Sequence, residues 1–195
     1  LPRMAEYTDG IERINIELSL RNKIKLCDAL ADFFERGQLP LGKQGDAANA
    51  IPSAEVLGDR VARAIDLVAE VRTLWSGWLQ NVDTLFTQLQ DHSLRASWKT
   101  QLRAPLQAIF AGGAFAPILE EATAIHQRVL KGRVWVALHM HAGDGNVHTN
   151  LPVNSDDYEM LQTAHEAVAR IMVLARSLDG VISGEHGIGI TKLEF

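Results

Sequence analysis

The sequence predicts an α+β fold, with an antiparallel sheet covered by helices and a long helical insertion. Apolar and polar residues alternate between Arg133 and Val153 as they do in strands. Elsewhere apolar residues recur at spacings of three and four, the period of amphipathic helices, and glycine-bearing turns separate the two kinds of segment. With 195 residues, 47% of them hydrophobic, the chain can bury a substantial core in one domain. Its 19 Lys and Arg are outnumbered by 24 Asp and Glu, giving a net charge of −5 without a dense basic run, which argues against a nucleic-acid partner. The single cysteine, Cys27, excludes an internal disulfide and reads as a small core residue of a protein in a reducing compartment. No apolar run approaches the ~20 residues that span a bilayer and no secretory signal opens the chain, so a cytoplasmic or membrane-peripheral location is expected. The chain starts at Leu1-Pro2 without an initiator methionine and stops at Lys192-Leu193-Glu194-Phe195, where a new helix is expected to begin; both ends suggest a piece of a longer polypeptide.

In chain order, the β-branched Ile11, Ile14 and Ile16 predict a strand over 11–18. A helix over 22–36 follows, with Ile24, Leu26, Leu30, Phe33 and Phe34 on one face and Gly37 as its stop. A polar loop runs to Ser53. From Leu57 to Leu89 the apolar residues form a heptad seam that predicts one long helix, the centre of a helical insertion over 55–110. Packing within its own domain is the expected role of that seam; a dimerising coiled coil, and hence a homodimer, is the alternative. Gly77 is a candidate break, and Trp75 and Trp78 are expected in the core. Arg95, Lys99 and Arg103, four apart, predict a basic ridge on a helix over 91–104 that is either solvated or a carboxylate clamp. Gly112-Gly113 interrupts the chain before a helix that starts at Pro117 and runs to about Lys131.

Strands over 133–141 and 147–153, joined by Gly143-Asp144-Gly145-Asn146, predict an antiparallel hairpin. Ser155 is the expected N-cap of a last helix whose stripe is Tyr158, Leu161, Val168, Ile171, Leu174 and Leu178, with Gly180 as its stop and a short strand over 181–183 after it.

Two glycine-rich stretches carry the chemistry: His141-Ala142-Gly143-Asp144-Gly145-Asn146-Val147-His148 and Ser183-Gly184-Glu185-His186-Gly187-Ile188-Gly189. In the predicted hairpin His141 and His148 face each other across the turn, and directly opposed side chains sit about 5 Å apart at Cβ, close enough to share one metal ion. Asn150 projects from the face of His148 and can hydrogen-bond whatever the ion holds. His139 shares the face of His141 but lies further from the turn; it is expected to support the site or the core without ligating. His92, His126 and His165 are expected as ordinary helix or surface residues. Glu185 offers an anionic oxygen ligand, His186 stays free for proton transfer, and Gly184, Gly187 and Gly189 allow close backbone approach to a cofactor or substrate. Two histidines and a carboxylate leave coordination positions open, as catalytic sites do.

These two stretches resemble the signatures of the C-terminal domain of FAD-linked oxidases of the vanillyl-alcohol-oxidase type, a family that includes D-lactate, glycolate and D-2-hydroxyglutarate dehydrogenases. The resemblance is close from about Pro117 to Lys192. It implies a ferredoxin-like α+β substrate domain that closes over flavin held by a separate FAD-binding domain of the same polypeptide. It further implies a divalent metal (Zn, Fe or Mn) on His141, His148 and Glu185, with His186 as general base, Asn150 on the substrate, and Glu185, His186 and Gly187 along the cofactor. The activity so implied is oxidation of a small D-2-hydroxyacid to the 2-oxoacid by an FAD-dependent dehydrogenase, the electron acceptor being open. No phosphate-cradling glycine fingerprint occurs in this chain. Relatives commonly carry a Lys-Tyr-Asp-type segment and a nearby arginine for the substrate carboxylate, where this chain has Phe110-Ala111-Gly112-Gly113-Ala114-Phe115. Two rival readings are a non-catalytic helical assembly module and a metal-dependent hydrolase in which His186 activates water.

Overall fold

The computed structural model describes residues 2–36, 38–42, 53–141 and 143–182. In chain order these form α1 (Pro2–Glu35), α2 (Ser53–Leu57), α3 (Arg60–Gln80), α4 (Val82–Gln90), a π-helix (Trp98–Arg103), α5 (Ala104–Ile109), a 3₁₀ turn (Gly113–Phe115), α6 (Ala116–Lys131), β1 (Ala137–His141), β2 (Asn146–Asn150) and α7 (Tyr158–Ser177). The fold is α+β and rich in helix; among the described residues the sheet is one antiparallel pair, β1 beside β2. No described helix is long and apolar enough to cross a membrane. Two compact units divide the chain, one drawn from 1–19 and 132–195 and the other from 20–131. The helical insertion expected over 55–110 falls inside the second.

The strand expected over 11–18 is helix. Ile11, Ile14 and Leu18 stand three and four residues apart, so on α1 they make one stripe, buried with Val134, Val136, Met160, Ala164, Ala167, Ile171 and Met172. Burial of that stripe outweighs the weak β preference of the isoleucines. Gly10 sits mid-helix, where glycine costs about 1 kcal/mol against alanine. A Cβ there would come within 2.5 Å of the Leu174 side chain of α7, so close packing explains the residue.

The same unit is fastened by a reciprocal pair. Asn15 Nδ2 donates to the Val136 carbonyl at 2.9 Å, and the Val136 N–H donates to Asn15 Oδ1 at 2.7 Å. The half-buried asparagine thus stands in for a strand partner, which the chain just before β1 lacks among the described residues. Arg170 pairs with Glu17 at 2.8 Å, and Arg3 pairs with Asp179 while also donating to the Leu178 carbonyl at 2.7 Å.

Two further expectations in this unit shift. The N-cap of α7 is Asp157, whose side chain accepts from the Met160 N–H at 2.9 Å, and not Ser155. Its buried stripe is Met160, Ala164, Ala167, Ile171 and Met172, whereas Tyr158 is 74% exposed. Gly180 closes the helix as expected, donating to the Ala175 carbonyl at 2.8 Å, and Asp179 takes the left-handed turn with φ 55°. Val181 and Ile182 are not strand, and Ser183 lies outside the described residues.

In the second unit the heptad seam is one surface but three helices. Gly58, with φ 51°, separates α2 from α3, and Asn81 separates α3 from α4; Gly77 lies within α3 without a break. Leu57, Ala64, Val68, Val71, Trp75, Val82 and Leu89 are buried, which is the intramolecular packing expected of the seam. Trp75 Nε1 donates to Gln101 Oε1 at 3.1 Å, and the Ser97 N–H reaches the same oxygen at 2.7 Å. Only 98–103 of the segment 91–104 is the π-helix, and Arg95 lies before it. The basic ridge expected on one α-helical face is therefore absent, although all three side chains are exposed. Phe34 and Phe110 stack with centroids 5.8 Å apart, and Phe115 tilts against Phe110 at 6.0 Å. Cys27 is fully buried, and burial pushes its thiol up to about 12, so it is an inert core residue at neutral pH.

Replacing Asn15 by Ala leaves the buried amide and carbonyl of Val136 without partners. Urea unfolding is expected to show a loss of about 2–3 kcal/mol. Arg3→Ala, at an exposed ion pair, is expected to cost no more than about 1 kcal/mol.

Candidate functional site

The hairpin sets the site. Along β1 and β2 side chains alternate between faces, and the register pairs Ala137 with Asn150, His139 with His148 and His141 with Asn146. One face therefore carries His139, His141, His148, Asn146 and Asn150. The other carries Leu138, Met140, Val147 and Thr149; Leu138 packs on the core of the first unit, and Met140 receives the Thr8 hydroxyl at 3.8 Å. The imidazole face is turned the other way: His139 and His141 are exposed and His148 is half-buried.

The turn is closed by the Asp144 N–H donating to the His141 carbonyl at 3.1 Å, with Gly145 in the left-handed region at φ 71°. That geometry places Asn146 opposite His141. It corrects the expected register, in which His141 faced His148: the residue directly across from His148 is His139. His141 nevertheless reaches His148 on the diagonal. Their ring centroids are 5.6 Å apart, against 6.4 Å for His139 and His148 and 5.0 Å for His139 and His141. Tetrahedral coordination of one ion by two imidazoles at about 2.1 Å sets their centroids about 5 Å apart, so the His141–His148 pair fits a shared metal. Among the described residues no group of three or more His, Cys, Asp or Glu could hold a metal ion.

Asn150 lies on the same face, exposed, at the far end of β2 from the turn. Glu185, His186 and Gly187 lie outside the described residues, as does the rest of 183–195. His139 was expected behind the site or in the core; its exposure places it beside the other two rings, as the period-two alternation with His141 already implied. His126 is a satisfied residue of α6, as expected, but it has a partner that was not expected. It stacks flat on Trp98 with centroids 4.6 Å apart, and burial, helped by Lys23, lowers its pKa. Nothing local in the sequence links positions 98 and 126. His92 and His165 are exposed.

Residues 116–195 match the family described as FAD linked oxidases, C-terminal domain. The chain is 51% identical over 53 residues to a D-lactate dehydrogenase of Archaeoglobus fulgidus, covering 27% of this chain and 11% of that protein. It is 32% identical over 89 residues to glycolate oxidase subunit GlcD of Bacillus subtilis, covering 40% and 19%. Against the mitochondrial D-lactate dehydrogenase [cytochrome] of Arabidopsis thaliana it is 36% identical over 55 residues, covering 28% and 10%. The matched stretch thus spans between a tenth and a fifth of these relatives. No solved structure matches the chain significantly.

Gly145→Ala forces a Cβ into the left-handed region and is expected to lower stability by about 1–2 kcal/mol. Gly143→Ala, where a Cβ meets nothing within 4 Å and φ is not positive, is expected to be neutral within about 0.5 kcal/mol. Thermal or urea unfolding of the two variants side by side checks both.

Proposed function

We propose, since residues 116–195 match the C-terminal domain family of FAD-linked oxidases, that this chain is the substrate- and metal-binding part of a flavin-dependent dehydrogenase acting on a small D-2-hydroxyacid. The observation that carries this reading is the pair of imidazoles of His141 and His148, 5.6 Å apart on the outward face of a hairpin inside the family segment. The ring nitrogens of His141 and His148 are the proposed first two ligands of one divalent ion, and Glu185 is the proposed anionic third. When bound, such an ion supplies positive charge that lowers the pKa of an α-hydroxyl held against it.

The remaining work falls to side chains of this chain and to flavin held by another domain. Asn150, exposed on the imidazole face, is the proposed hydrogen-bonding partner of the substrate. His186 is the proposed acceptor of the hydroxyl proton; flavin, when held by its own domain, would supply the acceptor for the α-hydrogen and its electron pair. The second partner is therefore the FAD-binding domain. D-lactate dehydrogenase and glycolate oxidase among the relatives support a small 2-hydroxyacid as the substrate class.

The test uses the flavoprotein that contains this chain, mixed anaerobically with D-lactate, glycolate or D-2-hydroxyglutarate while flavin absorbance is followed. His186→Ala is expected to slow flavin reduction by about 10²- to 10⁴-fold with metal content unchanged. His148→Ala is expected to lose the metal itself, read by elemental analysis. Flavin that stays oxidised with every 2-hydroxyacid overturns the proposed activity.

A further inference from the structure

We propose that Asp144-Gly145, in the turn of the hairpin, is a modification site, the place where this chain forms a succinimide and then an isoaspartyl linkage without any enzyme. An aspartyl carboxyl followed by glycine favours this chemistry, because a residue without Cβ leaves its backbone nitrogen open to attack. The chain holds three such pairs, Asp9-Gly10, Asp144-Gly145 and Asp179-Gly180, which the sequence alone does not distinguish. The structure separates them. Gly10 lies inside α1, where its N–H belongs to the helical ladder. Asp179-Gly180 is fastened twice: the Gly180 N–H donates to the Ala175 carbonyl at 2.8 Å, and the Asp179 carboxylate is paired with Arg3. In the hairpin turn neither restraint exists. Asp144 and Gly145 are exposed, and a Cβ built on Gly145 meets no atom within 4 Å. Among the described residues nothing accepts from the Gly145 N–H and nothing donates to the Asp144 carboxylate.

The reaction needs only the atoms of the turn and solvent water. The Gly145 nitrogen bonds to Cγ of Asp144 while the carboxyl hydroxyl and the amide proton leave as one water. A second water reopens the ring at either carbonyl. At Cγ it restores the aspartate; at the backbone carbonyl it leaves Gly145 linked through the Asp144 side chain. Nothing is oxidised or reduced. The isoaspartyl product carries one extra backbone carbon in the connection between His141 and Asn146, and the length of that connection sets the pairing of the strands. The inference stands whether or not the hairpin binds a metal.

The test ages the protein for weeks in warm neutral buffer and locates the linkage in its proteolytic peptides by electron-transfer fragmentation, which distinguishes the two isomers of equal mass. Isoaspartate is expected to accumulate at Asp144 at least about fivefold faster than at Asp9 or Asp179, since each of those needs a hydrogen bond broken first. In urea, where no structure distinguishes them, all three are expected to convert at similar rates. Asp144→Glu, whose ring would be larger and slower to close, is expected to remove the signal at that position with the thermal midpoint unchanged. Conversion in the folded protein that is as fast at Asp9 or Asp179 as at Asp144 overturns the proposal. So does an Asp144 that stays intact in the folded protein while the urea-unfolded chain converts.

Discussion

The outward row of imidazoles depends on one constraint, the commitment to the core of alternate residues leading into and along β1. Val134 and Val136 are 4% and 3% exposed, and Leu138 packs beside them. Full burial of each such side chain contributes about 1.5–3 kcal/mol. Because side chains alternate along a strand, this fixes His139 and His141 on the other face. A slip of one residue would turn the valines to water and the imidazoles into an apolar core, where each unpaired polar group costs about 1–3 kcal/mol. The chemistry of the site is thus set by its hydrophobic backing.

That backing is also what could be read directly from the sequence. The alternation from Val134 to His141 and the Gly-Asp-Gly turn were enough to place a hairpin with histidines on one face, and the structure has it. The pairing was not legible, because it depends on where the turn closes. The bond from Asp144 to His141 and the left-handed Gly145 make the connection four residues long, and the partner of each histidine follows from that count. The error over 11–18 has a different origin. Isoleucines spaced three and four apart satisfy both a strand propensity and a helical stripe, and only the partner surface from α7 and Val134–Val136 decides between them. The heptad seam was read correctly as a buried surface and wrongly as one helix, since a seam continues across a kink such as Gly58 while the backbone does not. The stack of His126 on Trp98 joins positions with no local pattern in common. Glu185, His186 and Gly187 lie beyond the described residues, so their place in the site rests on the family motif alone.

A two-stranded ribbon is marginal in water unless something covers one of its faces. Here Leu138 meets the core, and Asn15 fastens the Val136 backbone just before β1, but the turn lies five residues further on, about 17 Å along an extended chain. His141 therefore sits at the end of the hairpin remote from that anchor, and His139 and His148 form its middle pair. Each partner, from Asn15 through Val136 to Leu138, holds the root of the strand more firmly than the tip. Ring orientations that have not converged are expected of side chains carried by such a tip.

The metal proposed above would answer that weakness. An ion shared by His141 on β1 and His148 on β2 would join the two strands on the face that carries the histidines. A ligand that binds only the folded hairpin stabilises it by about 2.7 kcal/mol at a hundred times its dissociation constant, comparable to burying one more valine or leucine. The polar face would then be held by coordination and the apolar face by packing, so that the orientation of the rings, and of Asn150 two residues beyond His148, becomes fixed only when the ion is in place. Ordering of the site and binding of the proposed ion would then be the same event, and the left-handed Gly145, which lets the strands meet in this register, would serve both.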